Sequence, residues 1–416
     1  MRSTTGQQME ETTIVGIDIG TTKICTLVAD VDSQQNLRIA GIGIAPARGI
    51  RKGVVVNVSE ATAAIAESLE QAEQASGYEI HSAYVGLAGS HISALNNRGI
   101  ISLNNGHRGI QASDVTRVLE SAKAVSLPDN REILHVIPRS FTVDGDDGVK
   151  DPIGMFAQRL EVEAHIVTGA TTSINNLVAC IQNNDVDIDA LVLEPLASGE
   201  AVLTEMERDM GVVLADIGGG TTDIAIFIEG SIWHTTVLPT GGQQITNDVA
   251  VGLHTPFNIA EEIKIRHGHA WPAKMTVSGA LEVDTFGEEG RQAIDPEFLA
   301  DIIHARTEEI FELILQEIKR SGYDGLLPAG MVLCGGTANL SGIKDVGRSV
   351  LDMPIRVGTP QELRGLIENL SEPEFATSVG LLQWGMNHQT QPSSRQRPHR
   401  QPNKVLSWLK KAFLPG

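Results

Sequence analysis

Residues 211–229 read GVVLADIGGGTTDIAIFIE, and the fold is decided here. The apolar run Val212, Val213 and Leu214 leads into Asp216. Gly218, Gly219, Gly220, Thr221, Thr222 and Asp223 follow, and then a second apolar run, residues 224–228. β-Branched runs on both sides of a glycine cluster predict a β-hairpin. Glycines let the turn adopt φ > 0 and bring bare N–H groups up to a ligand. Successive N–H groups of this kind form an anion-binding nest. The two threonine hydroxyls add donors, and Asp216 supplies a carboxylate for a cation that neutralises the anion. Taken alone, the stretch reads equally well as an ordinary glycine-rich hairpin.

The N-terminal part repeats the pattern. Residues 14–23 read IVGIDIGTTK, and residues 24–29 form a second apolar run. Asp18, Ile19, Gly20, Thr21 and Thr22 echo Asp216, Ile217 and Gly218 with Thr221 and Thr222. Self-similarity at a wide spacing implies a duplicated unit. Two such hairpins face to face would clamp a polyphosphate from both sides. Lys23 stands where the second copy has Asp223 and would face the outer phosphates. Asp18 and Asp216 would hold Mg2+ through water, because Mg2+ keeps much of its hydration shell. The pair resembles the two phosphate loops of the actin/Hsp70 ATPase superfamily.

With 416 residues the chain exceeds one simple core, so two or more subdomains are expected. Its net charge of −20 argues against a general nucleic-acid binder. Cys25, Cys180 and Cys334 never fall in C-x-x-C spacing, which points to a reducing compartment and no structural zinc. The first residues, MRSTTGQQMEET, lack the apolar core of a signal peptide, and no apolar run reaches the length of a membrane span. A cytoplasmic protein is expected.

Between the hairpins, residues 59–75 carry apolar and small residues at helical spacing, and Gly77 ends that helix. Residues 88–165 interrupt the first lobe. Short strands are predicted at 91–95, 133–141 and 160–166, with a helix at 114–125 that Ser113 would cap. Asn96-Asn97, Asn104–Gly106 and Asp144–Gly148 read as turns. The acidic run 144–151 lacks the terminal Glu of an EF loop and reads as a solvated turn. Further on, Glu194-Pro195 closes a strand and opens a helix. Glu194 would lie between the two hairpins, where a carboxylate can orient a water for in-line attack. A helix-terminal Glu favoured by the dipole is the plainer alternative. Glu261 and Lys264 share a helix face and could hold ribose or base edges, or form a simple surface ion pair. Residues 298–321 form a long amphipathic helix. A strand at 331–334 runs into Gly335-Gly336, whose exposed backbone can lie against a flat purine.

Residues 388–403, HQTQPSSRQRPHRQPN, are nearly devoid of apolar side chains and read as a disordered linker. Residues 404–416, KVLSWLKKAFLPG, follow. Val405, Trp408, Leu409 and Phe413 fall on one helical stripe, Leu406 widens it, and Lys404, Lys410 and Lys411 lie on or beside the opposite face. With Arg395, Arg397 and Arg400 and no acid, residues 387–416 carry +6, which leaves −26 on the rest of a −20 chain. A basic amphipathic helix behind a flexible linker reads as an anchor to anionic membrane lipid. A helix that docks on protein is the alternative.

The stretches YVGLAGSHI, ILHVIPRSFTVDG, KDPIGM, RLEVEAHIVTG, LPTGGQQIT and AEEIK, together with both hairpins and the tail, make the chain resemble the FtsA family of bacterial cell-division proteins. The resemblance spans nearly the whole chain. It implies an α/β, two-lobed actin-like ATPase fold of duplicated ribonuclease-H-like domains, with an inserted small α+β subdomain and a C-terminal amphipathic helix. The implied subdomains are 1A (12–87, 166–205 and 373–386), 1C (88–165), 2A (206–246 and 330–372) and 2B (247–329), then the linker 387–403 and the helix 404–416. ATP with Mg2+ is implied at Asp18, Gly20, Thr21, Thr22, Lys23, Asp216, Gly218, Gly219, Gly220, Thr221, Thr222, Glu261, Lys264, Gly335 and Gly336. Glu194 matches the superfamily's glutamate, with weak or regulatory hydrolysis at most. The FtsZ C-terminal tail is implied as a partner on subdomain 2B, where Arg306 matches a basic position. Self-assembly into filaments, later division proteins and the cytoplasmic side of the membrane at the septum complete the expectation. An actin-like pilus-assembly ATPase and a small-molecule kinase of the same superfamily are the alternatives. A chaperone would need a further domain after Trp384.

Overall fold

The computed structural model describes residues 12–388, apart from residues 33, 35, 104–107, 275–278, 287–290, 362 and 367–369. The expected linker, beyond Asn387 and His388, and the expected amphipathic helix 404–416 lie outside the described residues. No helix among the described residues is long and apolar enough to cross a membrane.

The duplication is visible in the sheets. In the first lobe, the strands Thr12–Ile19, Lys23–Val31 and Leu37–Pro46 form an antiparallel meander. Ser82–Leu87 and then Asp187–Leu193 add to its first strand in parallel. In the second lobe, Val212–Ile217, Thr222–Ile228 and Ser231–Leu238 form the same meander. Met331–Cys334 and Ile355–Val357 add in parallel on the same side. Val212–Ile217 and Thr222–Ile228 are buried along their whole length, as strands covered on both faces must be.

Helices cover these sheets where the sequence places small residues. Val58–Ser76 starts at Asn57, whose side chain accepts from the Glu60 N–H, and ends at Gly77 with φ 70°. It lies so close to Leu37–Pro46 that a Cβ on Gly43 would sit 1.9 Å from the Ser68 carbonyl. The predicted helix 298–321 runs over Pro296–Ser321, because Asp295 caps it by accepting from the Glu297 N–H. Its buried stripe includes Leu299, Ile303, Ile310, Phe311 and Ile314. Between the lobes, Glu194–Val202 crosses Ala376–Asn387 at Gly380, where an added Cβ would lie 1.8 Å from the Ala197 carbonyl.

The interrupting segment builds its own four-stranded antiparallel sheet. The order in space is Ile92–Ser102, Arg159–Ala170, Arg131–Val143 and Asp146–Val149, and the helix Ala112–Ala122 packs beside it. Two expectations need correcting here. Asn96-Asn97 is no turn: the strand Ile92–Ser102 runs straight through it, paired to Arg159–Ala170. Tertiary partners outweigh the local turn propensity, since Asn97 Nδ2 donates to the Ala122 carbonyl and Asn96 Oδ1 bonds His165 Nδ1. Nor does Ser113 cap the helix. The N-cap is Gln111, and Asp114 reaches back to accept from its N–H.

Candidate functional site

Each hairpin turn closes in the same way. Gly20 N–H donates to the Lys23 carbonyl at 3.0 Å, and Gly218 N–H donates to the Thr221 carbonyl at 3.0 Å. The two turns face each other across the lobes and touch. A Cβ on Gly219 would lie 2.4 Å from Thr22 Cγ2, and one on Gly220 would lie 2.7 Å from Thr21 Cγ2. Only glycines at both positions allow this approach with the threonines as they stand. The expectation that Thr222 offers its hydroxyl to a ligand does not hold. Thr222 is fully buried and donates to the Thr240 carbonyl at 2.9 Å, which secures the base of the turn.

Four carboxyl groups converge behind the turns. Asp18 and Asp216 stand one residue before the end of the first strand of each meander, and both are buried. Consecutive hydroxyls at the start of the helix Ala376–Asn387 hold them. Ser378 donates to Asp18 Oδ2 at 2.7 Å, and Thr377 donates to Asp216 Oδ2 at 3.0 Å. Asp223 stands opposite Asp216 in the hairpin register. It is almost fully buried, and its Oδ1 has no hydrogen-bond partner. Glu194 opens the helix that crosses between the lobes.

Crowding acids in a buried place disfavours their charged forms. Burial, with Asp216 nearby, pushes Asp18 up to about 6 despite the Ser378 hydrogen bond and Lys23. Burial and the charge of Asp216 push Asp223 up to about 8. Burial likewise raises Asp216. Glu194 rises well above the usual carboxylate range through burial, then through Asp18, Asp223 and Asp216. The charge state of Glu194 is therefore tied to those of the three aspartates.

Beside this cluster opens a cavity of about 400 Å³. Thr22, Gly219, Glu261, Lys264 and Gly336 line it, so predicted residues from four separate stretches meet there. Lys264 Nζ lies 2.8 Å from Glu261 Oε2 and 2.9 Å from Thr246 Oγ1, and Glu261 also takes the Thr246 hydroxyl. Gly335, at φ 83°, turns the chain beside Asp216, where an added Cβ would sit 2.4 Å from Oδ1. Thr337 then donates to the Gly218 carbonyl at 3.0 Å and ties this third glycine site to the second hairpin. Lys23 does not stand free before the turns. It pairs with Glu374 at 2.9 Å, with Nζ 3.5 Å from the centre of the Phe375 ring.

Arg306 lies elsewhere, on the helix Pro296–Ser321. It is already paired, with Asp248 at 2.5 Å and Glu309 at 2.5 Å. Lys404, Val405, Leu406, Trp408, Leu409, Lys410, Lys411 and Phe413 fall outside the described residues. Three members of the site, Asp223, Thr377 and Ser378, lie outside the set expected from the sequence. Asp223 was open to view as the position where the two turns differ. Thr377 and Ser378 carried no signal, because nothing local distinguishes a helix-start hydroxyl aimed at a carboxylate from one that faces water.

A family model described as cell division protein FtsA matches residues 213–380, and one described as the SHS2 domain inserted in FtsA matches residues 89–168. The cell division protein FtsA of Pseudomonas aeruginosa is 42% identical over 91% of this chain and 90% of its own length. That of Borreliella burgdorferi is 40% identical over 98% of this chain and 99% of its own. That of Escherichia coli K12 is 33% identical over 96% and 98%. Among solved structures, the PilM–PilN type IV pilus biogenesis complex superposes with a TM-score of 0.66 at 14% identity, covering 90% of this chain and 98% of that one. MreB5 of Spiroplasma citri bound to ADP superposes with a TM-score of 0.55 at 13% identity, covering 90% and 95%. At such low identity these two structures show the actin-like fold alone.

Proposed function

The chain belongs to the FtsA family of cell-division proteins, and from that premise we propose that it is an ATP-binding scaffold attached to the membrane. It polymerises on the inner face of the cytoplasmic membrane at the septum, ties FtsZ filaments to that membrane, and helps recruit later division proteins. The sequence relatives are cell-division proteins, so neither the pilus-assembly reading nor the kinase reading is favoured.

The observation that carries the nucleotide reading is the pair of touching turns backed by four carboxyls. Among the described residues these carboxyls do not form a direct metal-ligand set, which suits a hard cation held through its own waters. The unpartnered Oδ1 of Asp223 and the raised pKa values of Asp18 and Asp223 suit a site completed by positive charge. Asp18 and Asp216 would hold Mg2+ through its own waters. The Gly219 and Gly220 N–H groups would take the phosphates, while Gly336, Glu261 and Lys264 line the space for the nucleoside. Bound Mg2+ supplies charge neutralisation at the phosphates. Glu194, as a carboxylate beside the bound cation, would orient the attacking water and take its proton. Lys23 would exchange Glu374 for a phosphate.

For FtsZ, the proposed contact is Arg306 on the helix Pro296–Ser321. A tail carboxylate would have to replace Asp248 or Glu309, which gives the contact a competitor within the chain. The proposed membrane contact is the basic amphipathic stretch 404–416, carried on the linker 387–403. Subdomains 1A, 1C, 2A and 2B retain the proposed boundaries given above.

Calorimetry with ATP and Mg2+ tests the nucleotide reading. Asp216→Ala removes one of two carboxylates that face the cation, and affinity should fall at least about tenfold, or about 1.4 kcal/mol. Equal affinity in the variant overturns the cation assignment.

A further inference from the structure

The helix that opens on Glu194 has no cap from its own side chains. Its N-cap is Leu193, which has no side-chain acceptor. Helix starts leave backbone N–H groups to be satisfied from outside. Leu193 also ends the edge strand of its sheet, Asp187–Leu193, which has a strand partner on one side only. The Leu193 N–H nonetheless has an acceptor, the Nε2 of His135, at 3.1 Å. To accept, that nitrogen must carry no proton.

His135 is not local to this helix. It sits on the strand Arg131–Val143 of the inserted sheet, opposite Val167, and 58 residues from Leu193 in sequence. The segment that interrupts the first lobe thus reaches back to the residue directly before Glu194. One turn further on, the Ser198 hydroxyl donates to the Glu194 carbonyl at 2.7 Å. The backbone that carries Glu194 is therefore held from both ends, by the inserted sheet before it and by its own helix after it.

We propose that His135 is a positioning residue for Glu194. By fixing the Val192–Leu193 peptide, one residue ahead of Glu194, it sets where the Glu194 carboxyl lies among Asp18, Asp216 and Asp223. This rests on the reading that Glu194 orients the attacking water. Small misplacements of a catalytic group cost much rate and little affinity.

The test measures single-turnover ATP hydrolysis with Mg2+ and, separately, nucleotide affinity on the full chain. His135→Ala should slow turnover about tenfold and leave affinity within about twofold. His135→Gln, whose side-chain oxygen can accept from the Leu193 N–H, should recover most of the rate. Glu194→Ala should slow turnover, and adding His135→Ala to it should slow turnover no further. If Glu194→Ala slows turnover and His135→Ala does not, the positioning role is wrong while the site reading stands. If Glu194→Ala leaves turnover unchanged, the site reading fails and the positioning role falls with it. Loss of affinity equal to the loss of rate in His135→Ala, or no recovery in His135→Gln, makes His135 a structural residue only.

Discussion

A buried carboxyl with an unpartnered oxygen, as at Asp223, makes the empty site sensitive to pH. Its pKa is pushed up to about 8 from an ordinary 3.8, so between those values the folded protein binds more protons than the unfolded chain. Stability of the nucleotide-free protein should therefore fall as pH rises through that window. Asp223→Asn removes the charge that must be buried. At pH 8.5 it should raise the melting temperature of the nucleotide-free protein by at least about 2 °C, and at pH 4 it should change little. A lower melting temperature for the variant at pH 8.5 would show that the charged form of Asp223 is stabilised by its surroundings, against this reading. At this scale the residues were legible wherever they stood in a repeated motif. Asp18, Asp216 and the glycine turns could be named because two copies fall in one chain. Thr377, Ser378 and His135 could not, because each acts on a residue far away in sequence, and only the fold brings the pair together.

Among the elements, the crossing of Glu194–Val202 and Ala376–Asn387 bears on three of the four carboxyls. The first helix begins at Glu194, and the second carries the hydroxyls that hold Asp18 and Asp216. The helices meet through Gly380 against the Ala197 backbone, which cannot move aside as a side-chain tip would. Gly380→Ala should therefore destabilise the protein by about 1–3 kcal/mol through overpacking, and weaken nucleotide binding as Thr377 and Ser378 shift. Gly325→Ala, where an added Cβ meets nothing within 4 Å, is the control and should leave nucleotide binding unchanged. Equal behaviour of the two variants would remove the crossing from the account. Helix and strand positions were readable where periodicity and caps agree, as in Val58–Ser76 with its Gly77 stop. They were misread where a tertiary partner satisfies a polar residue, as Ala122 and His165 do for Asn97 and Asn96.

Over the whole molecule, two meanders with matching strand order carry matching turns, and the turns meet between the lobes. The duplicated fold followed from one repeated motif, because a strand–turn–strand unit that recurs must rebuild the same local sheet. The touching of the turns did not follow, since it depends on helix crossings that lie outside both motifs. The proposed scaffold adds a charge separation to this body, with −26 up to residue 386 and +6 from residue 387 onward. A body so acidic is repelled by anionic lipid, so the proposed attachment would rest on the basic tail, with Trp408, Leu409 and Phe413 as its apolar contacts. One such short segment would bind weakly, and alignment of many in the proposed filament would multiply the attachment by about 10²–10⁴ through avidity. The most direct measurement is sedimentation of FtsZ filaments with anionic liposomes in the presence of this protein, ATP and Mg2+. FtsZ should pellet with the liposomes when the wild-type chain is present and remain unattached with Trp408→Glu. If the Trp408→Glu chain carries FtsZ to the liposomes as well as wild type does, the membrane-scaffold account is contradicted.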